Sequence, residues 1–108
     1  MLSSFVKVAK TTDLLDGQMK MVTVRYMPIL LVRIDGEFFA IDDLCSHAGG
    51  SLHSGVMAGQ EVACPLHGAR FDIKTGRQSI GPSGTDQKVY HLRVEGDDIY
   101  LGPPATAR

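Results

Sequence analysis

Short runs in which apolar and polar positions alternate every second residue dominate both ends of the chain. Val22, Val24 and Tyr26 alternate with Thr23 and Arg25, and Leu30, Val32 and Ile34 alternate with Leu31 and Arg33. This is the period of half-buried strands, not the 3.6 of helices. Asp35-Gly36 then predicts a tight hairpin turn into a strand over 37–41. Near the other end Tyr90, Leu92 and Val94 alternate with Val89, His91 and Arg93, and Glu95-Gly96-Asp97 turns the chain into a further strand over 99–101. Helix has little support, since 11–17 suffices for a turn or two at most. The pattern predicts an all-β fold of antiparallel strands joined by hairpins.

The middle, 42–86, breaks this rhythm. It holds most of the chain's 12 glycines and only two short strand candidates, 61–63 and 69–73. It reads as loops mounted on a β scaffold, where binding residues concentrate because rigid strands position them. Residues 102–108 carry two prolines and little to bury, which predicts a frayed tail.

Composition sharpens the picture. At 108 residues the chain has room for one domain, 1–108, and its 44% hydrophobic content supplies one modest core. A formal net charge of −1 with both signs scattered leaves no basic footprint for nucleic acid or an anionic membrane. The longest aliphatic stretch, 29–32, is far short of the roughly 20 residues that cross a bilayer. The opening residues lack a basic stretch followed by an apolar one, so no secretory signal is expected and the cytoplasm is the default compartment. In that compartment the 2 cysteines are better read as metal ligands or redox groups than as a disulfide.

Those cysteines sit in Cys45-Ser46-His47 and Cys64-Pro65-Leu66-His67. Two thiolates and two imidazoles suit either zinc or an iron–sulfur cluster. Zinc fingers pair cysteine with cysteine and histidine with histidine, whereas each pair here is mixed. A mixed pair suits two adjacent metal atoms, with each loop sending its Cys to one iron and its His to the other, the arrangement in which two His replace two Cys on one iron of a [2Fe–2S] unit. A zinc-stabilised interaction module is the alternative of another class, and two buried cysteines with incidental histidines are the bland one. The other two histidines carry no function here: His53 lies in a polar loop and His91 on an outward strand face.

CSHAGGSL followed by CPLHGARFD and KTGR, then Gly81-Pro82 and VEGDDIYL, resembles the Rieske-type ferredoxins over residues 32–101. The resemblance implies stacked antiparallel β-sheets with a loop-rich cluster-binding subdomain at about 42–86. It implies one [2Fe–2S] cluster per chain, with Cys45 and Cys64 on the buried iron and His47 and His67 on the outer one. Gly49 and Gly68 would let backbone N–H groups approach the cluster sulfurs. High-potential members carry a disulfide at the positions of Gly50 and Leu66, and hydroxyl donors at those of Ala69 and Phe71. Losing those donors implies a low potential, roughly −150 mV.

With that low potential, the resemblance implies a soluble one-electron carrier, expected as a monomer, that is not itself an enzyme. It would pass electrons from a flavin-dependent ferredoxin reductase to a terminal non-heme iron oxygenase, in an aromatic-ring-hydroxylating dioxygenase system of aromatic hydrocarbon catabolism. The alternative within the family is the small Rieske subunit of an assimilatory nitrite reductase. With only His53 and His91 left over, the chain lacks the two-His-one-carboxylate iron site of a terminal oxygenase. The expected docking patch surrounds His47, His67 and 81–85, with Asp86 as a solvated loop acid.

Overall fold

The computed structural model describes residues 5–46, 49–66, 68–81 and 86–105. Among these described residues ten strands form two antiparallel sheets. The larger sheet contains β1 (Val6–Lys10), β2 (Met19–Val24), β3 (Met27–Ile34), β4 (Glu37–Asp42), β9 (Val89–Glu95) and β10 (Asp98–Ala105) in the order β1-β10-β9-β4-β3-β2. The smaller contains β5 (Val56–Ala58), β6 (Glu61–Ala63), β7 (Arg70–Asp72) and β8 (Gln78–Ile80) in sequential order. Two single turns of 3-10 helix, Thr11–Asp13 and Leu52–Ser54, are the helical pieces among the described residues.

Strand β3 explains the architecture. Its run Ile29, Leu30, Leu31 and Val32 is buried on both faces. Ile29 and Leu31 join Val24, Ala40, Tyr90, Ile99 and Leu101 in a core enclosed by the larger sheet itself. Leu30 and Val32 face the other way, with Ile41, onto Val62, Phe71 and Ile73 of the smaller sheet and its loops. A strand between two cores gains from apolar side chains at every position, at about 1.5–3 kcal/mol for each one buried, so here alternation gives way to a continuous aliphatic run.

The predicted hairpins at Asp35-Gly36 and Gly96-Asp97 form. Ile34 pairs with Glu37 around Asp35 (φ +51°) and Gly36 (φ +81°), both in the left-handed region that a two-residue turn of this kind requires. Glu95 pairs with Asp98 across the second turn. Two expectations are corrected. Tyr26 does not continue a strand: Arg25 (φ +52°) and Tyr26 (φ +68°) form the β2–β3 turn, with Val24 pairing Met27 and the Tyr26 ring almost wholly exposed. The chain after Leu101 does not fray at once. Strand β10 runs to Ala105, with Pro104 opposite Tyr90 and Ala105 opposite Val89, across an irregularity that absorbs the prolines. Gly102 lies buried against the Phe5 ring, which a Cβ at that position would meet at 2.5 Å.

Candidate metal centre

The two motifs lie on two loops. The first leaves β4 after Asp42 and reaches β5; the second joins β6 to β7. Cys45 and Cys64 are both buried, unpaired by any disulfide, and share the inter-sheet core with Leu52, Val62, Ala69 and Phe71. His47 and His67 lie outside the described residues, as do 82–85, which belong to the expected docking patch.

Each cysteine is held by its own turn. Cys45 N–H donates to Gly50 O at 2.7 Å and Gly49 N–H donates back to Cys45 O at 2.9 Å. Cys64 N–H donates to Ala69 O at 2.7 Å. Gly49 (φ +74°) and Gly68 (φ +71°) supply the left-handed residues these reversals need, and an added Cβ at either would meet no described atom within 4 Å. Gly50 makes a close approach within the protein itself. A Cβ there would stand 3.1 Å from Cys64 Sγ and 3.1 Å from Leu66 Cγ. Gly50 and Leu66 are therefore spatial neighbours across the two loops, beside the thiol.

The thiols are neighbours as well. Burial pushes the Cys64 thiol above its ordinary range, and the adjacent Cys45 adds to this, while the backbone N–H groups of Leu66 and Gly50 oppose it by donating to the sulfur. Two adjacent buried thiols, with backbone donors aimed at one of them, make poor packing for their own sake and a suitable seat for metal. A bound cation replaces both protons and neutralises two thiolates that burial otherwise disfavours. The donor set fits the cysteine half of a mixed Cys/His cluster site.

Polar side chains secure the first loop, and of these the hydrophobic pattern marks only Tyr90. Asp43 is only 1% exposed; its Oδ1 accepts from His53 N–H at 2.8 Å and its Oδ2 lies 2.7 Å from His53 Nδ1. His53 is therefore not an incidental loop histidine, because it closes the far end of the loop onto a buried carboxylate. The Tyr90 hydroxyl donates to Asp42 Oδ1 at 2.5 Å, and burial followed by that carboxylate pushes its ionisation upward. Gln87, 3% exposed, sends its side-chain amide to Asp42 O, Leu44 O and Ser46 N–H. Asp86 is tied in too, accepting from Gln78 N–H at 3.0 Å at the start of β8.

Comparison with known proteins bears on the family and its cofactor. The model of the family described as "Rieske [2Fe-2S] domain" matches residues 4–91. The chain is 33% identical over 95 residues to the ferredoxin component of the naphthalene 1,2-dioxygenase system of Pseudomonas putida, covering 88% of this chain and 91% of that one. It is 34% identical over 98 residues to the ferredoxin component of biphenyl 2,3-dioxygenase of Rhodococcus jostii (strain RHA1), covering 91% and 92%. Among solved structures, the ferredoxin of carbazole 1,9a-dioxygenase from Nocardioides aromaticivorans IC177 superposes with a TM-score of 0.87 at 34% identity, covering 94% of this chain and 99% of that one. The match favours the mixed-pair iron–sulfur reading over zinc. With its all-β architecture, its two buried cysteines and a family match over most of its length, the chain belongs to the Rieske [2Fe–2S] domain family.

Proposed function

We propose that this protein is the ferredoxin component of an aromatic-ring-hydroxylating dioxygenase system, a one-electron carrier and not a catalyst. Cys45 and Cys64 would hold one iron of a [2Fe–2S] cluster, and His47 and His67 the other. When bound, the cluster supplies a single reversible electron. The chain's own residues do the rest: Leu30, Val32, Val62 and Phe71 exclude water from the cysteine side, the Leu66 and Gly50 N–H groups steady the Cys64 sulfur, and Asp43 with His53 keeps the first loop closed.

The observation that carries this reading is the pair of adjacent buried thiols in a chain similar over nine-tenths of its length to dioxygenase ferredoxin components. One solved complex of oxygenase and ferredoxin in carbazole 1,9a-dioxygenase matches with a TM-score of 0.85 at 28% identity. By analogy a terminal non-heme iron oxygenase is the electron acceptor, and a flavin-dependent ferredoxin reductase the donor. The chain acts as a monomeric single domain in the cytoplasm. Among the described residues no helix is long and apolar enough to cross a membrane.

The test is reconstitution. Purified protein should contain iron and acid-labile sulfide in equal amounts, and should restore turnover to a ring-hydroxylating oxygenase supplied with NADH and a flavin reductase. Replacing His47 or His67 by Ala should abolish both the Rieske spectrum and that turnover. A colourless protein with one zinc would overturn the proposal.

A further inference from the structure

We propose that Gln87 is a positioning residue that holds the Cys45 loop in its binding geometry and locks it to the second loop; this rests on Cys45 being a cluster ligand. Its side-chain Nε2 donates to Asp42 O at 2.9 Å and to Leu44 O at 2.8 Å, while Oε1 accepts from Ser46 N–H at 2.8 Å. One amide thus grips the backbone on both sides of Cys45, and both hydrogens of its NH2 group are used.

The Gln87 backbone is held separately. Gln87 N–H donates to Gly76 O, and Gly76 N–H to Asp72 O, both at 2.7 Å. Asp72 ends β7, the strand that leaves the Cys64 loop. The contact with Gly76 is close: a Cβ on that residue (φ +78°) would lie 2.1 Å from Gln87 O. A continuous chain of hydrogen bonds therefore runs from the Cys45 loop through Gln87 and Gly76 to β7. The two cysteine loops are fixed to one another by protein alone.

An apolar residue at position 87 fills the same space but leaves two part-buried carbonyls and one N–H without these partners. Water or a distorted loop must then satisfy them. Gln87 is thus more than core filler. The grip acts on Cys45 through its two neighbouring peptides, so it controls where the sulfur sits without touching it.

The experiment uses the oxidised holoprotein, with residue-resolved hydrogen exchange read by mass spectrometry. Ser46 N–H in the wild type should exchange at least about 100-fold more slowly than in a free chain. Gln87→Met, close in shape but without the amide, and Gln87→Asn, which keeps the amide but lacks the reach, should each speed that exchange about tenfold or more. Both should also shift and broaden the electron paramagnetic resonance signal of the reduced protein and hasten loss of visible absorbance to a chelator. Free-chain exchange at Ser46 in the wild type would overturn the proposal even if neither variant folds. So would variants with lowered melting temperature but unchanged signal, chelation rate and Ser46 exchange, the outcome of a merely structural role. Failure of the cluster assignment registers separately, as wild-type protein lacking iron and sulfide.

Discussion

Gly55→Ala separates a steric requirement from a conformational one. Gly55 has φ −89° and ψ −159°, extended backbone that alanine adopts freely. Its surroundings forbid the side chain: a Cβ would stand 1.9 Å from Ala63 O, 3.1 Å from Ala63 C and 3.2 Å from Leu52 O. Ordinary contact begins near 3.4 Å, so the Ala63 carbonyl has to retreat by about 1.5 Å. That carbonyl belongs to the peptide that precedes Cys64, and β5 pairs with β6 there through Val56 and Ala63. Overpacking of this kind costs about 1–3 kcal/mol, and a strained or lost strand hydrogen bond adds about 1 kcal/mol. The expected total is about 2–4 kcal/mol, or a fall of roughly 8–16 °C in melting temperature for a chain of this size. Gly17→Ala is the comparison. Its φ is +83° but nothing lies within 4 Å of the added carbon, so only the left-handed penalty of about 1–2 kcal/mol applies. The assay is thermal unfolding of both oxidised variants at one scan rate, with the electron paramagnetic resonance spectrum recorded alongside. Gly55→Ala should lose more stability than Gly17→Ala and, unlike it, alter the spectrum. A loss below about 3 °C with an unchanged spectrum refutes the reasoning, because the carbonyl then has room that the geometry denies it.

Three other outcomes follow from the same structure. Asp43→Ala strips the acceptor from the His53 backbone and ring inside a nearly closed site, and should cost about 2–4 kcal/mol in denaturant unfolding, whereas His53→Ala should cost less because its ring is partly solvated. Phe71→Tyr with Ala69→Ser adds hydroxyl donors at two fully buried positions in the core that holds both cysteines, and should raise the midpoint potential by a few tens of mV, given that 59 mV is tenfold for one electron; a potentiometric titration that shows no rise or a fall rejects it. Burial acts to raise the Asp72 carboxyl, but hydrogen bonds from Gln60 Nε2 (2.7 Å), Thr75 N–H (3.0 Å) and Lys74 N–H (2.9 Å) outweigh it and hold the group below its ordinary 3.8. Because the folded value is the lower one, the stability it contributes is present above pH 3.8 and is lost as pH falls through the folded value, so Asp72→Asn should flatten that part of the acid-unfolding profile.

Much of the scaffold is legible in local sequence, since turns and strand periods are short-range properties. Asp35-Gly36 and Gly96-Asp97 mark their hairpins because few residue pairs accept the backbone angles needed there. The strand candidate at 61–63 is β6, and the one at 69–73 contains β7. The mixed pairs Cys45/His47 and Cys64/His67 point to a two-iron site because metal ligation restricts both donor type and spacing. Tertiary structure was needed wherever a residue's role depends on a distant partner. The full burial of 29–32 follows from a second sheet packing on the outer face of β3; the continuous aliphatic run is compatible with that, but which residues cover each face is decided by the fold. Tyr26 continues the strand alternation, yet pairing of Val24 with Met27 makes it a turn residue. Beyond Leu101 the chain stays ordered to Ala105 because β9 offers a partner edge. Gln87, Asp43 and His53 are polar, and polarity in a sequence ordinarily signals solvent. They are instead drawn to a part-buried loop whose backbone groups require partners, with Gln87 reaching residues more than forty positions earlier in the chain. The candidate donors are named by the order of residues, and the meeting of Cys45 and Cys64 in one core is decided by the folding of the two sheets against one another.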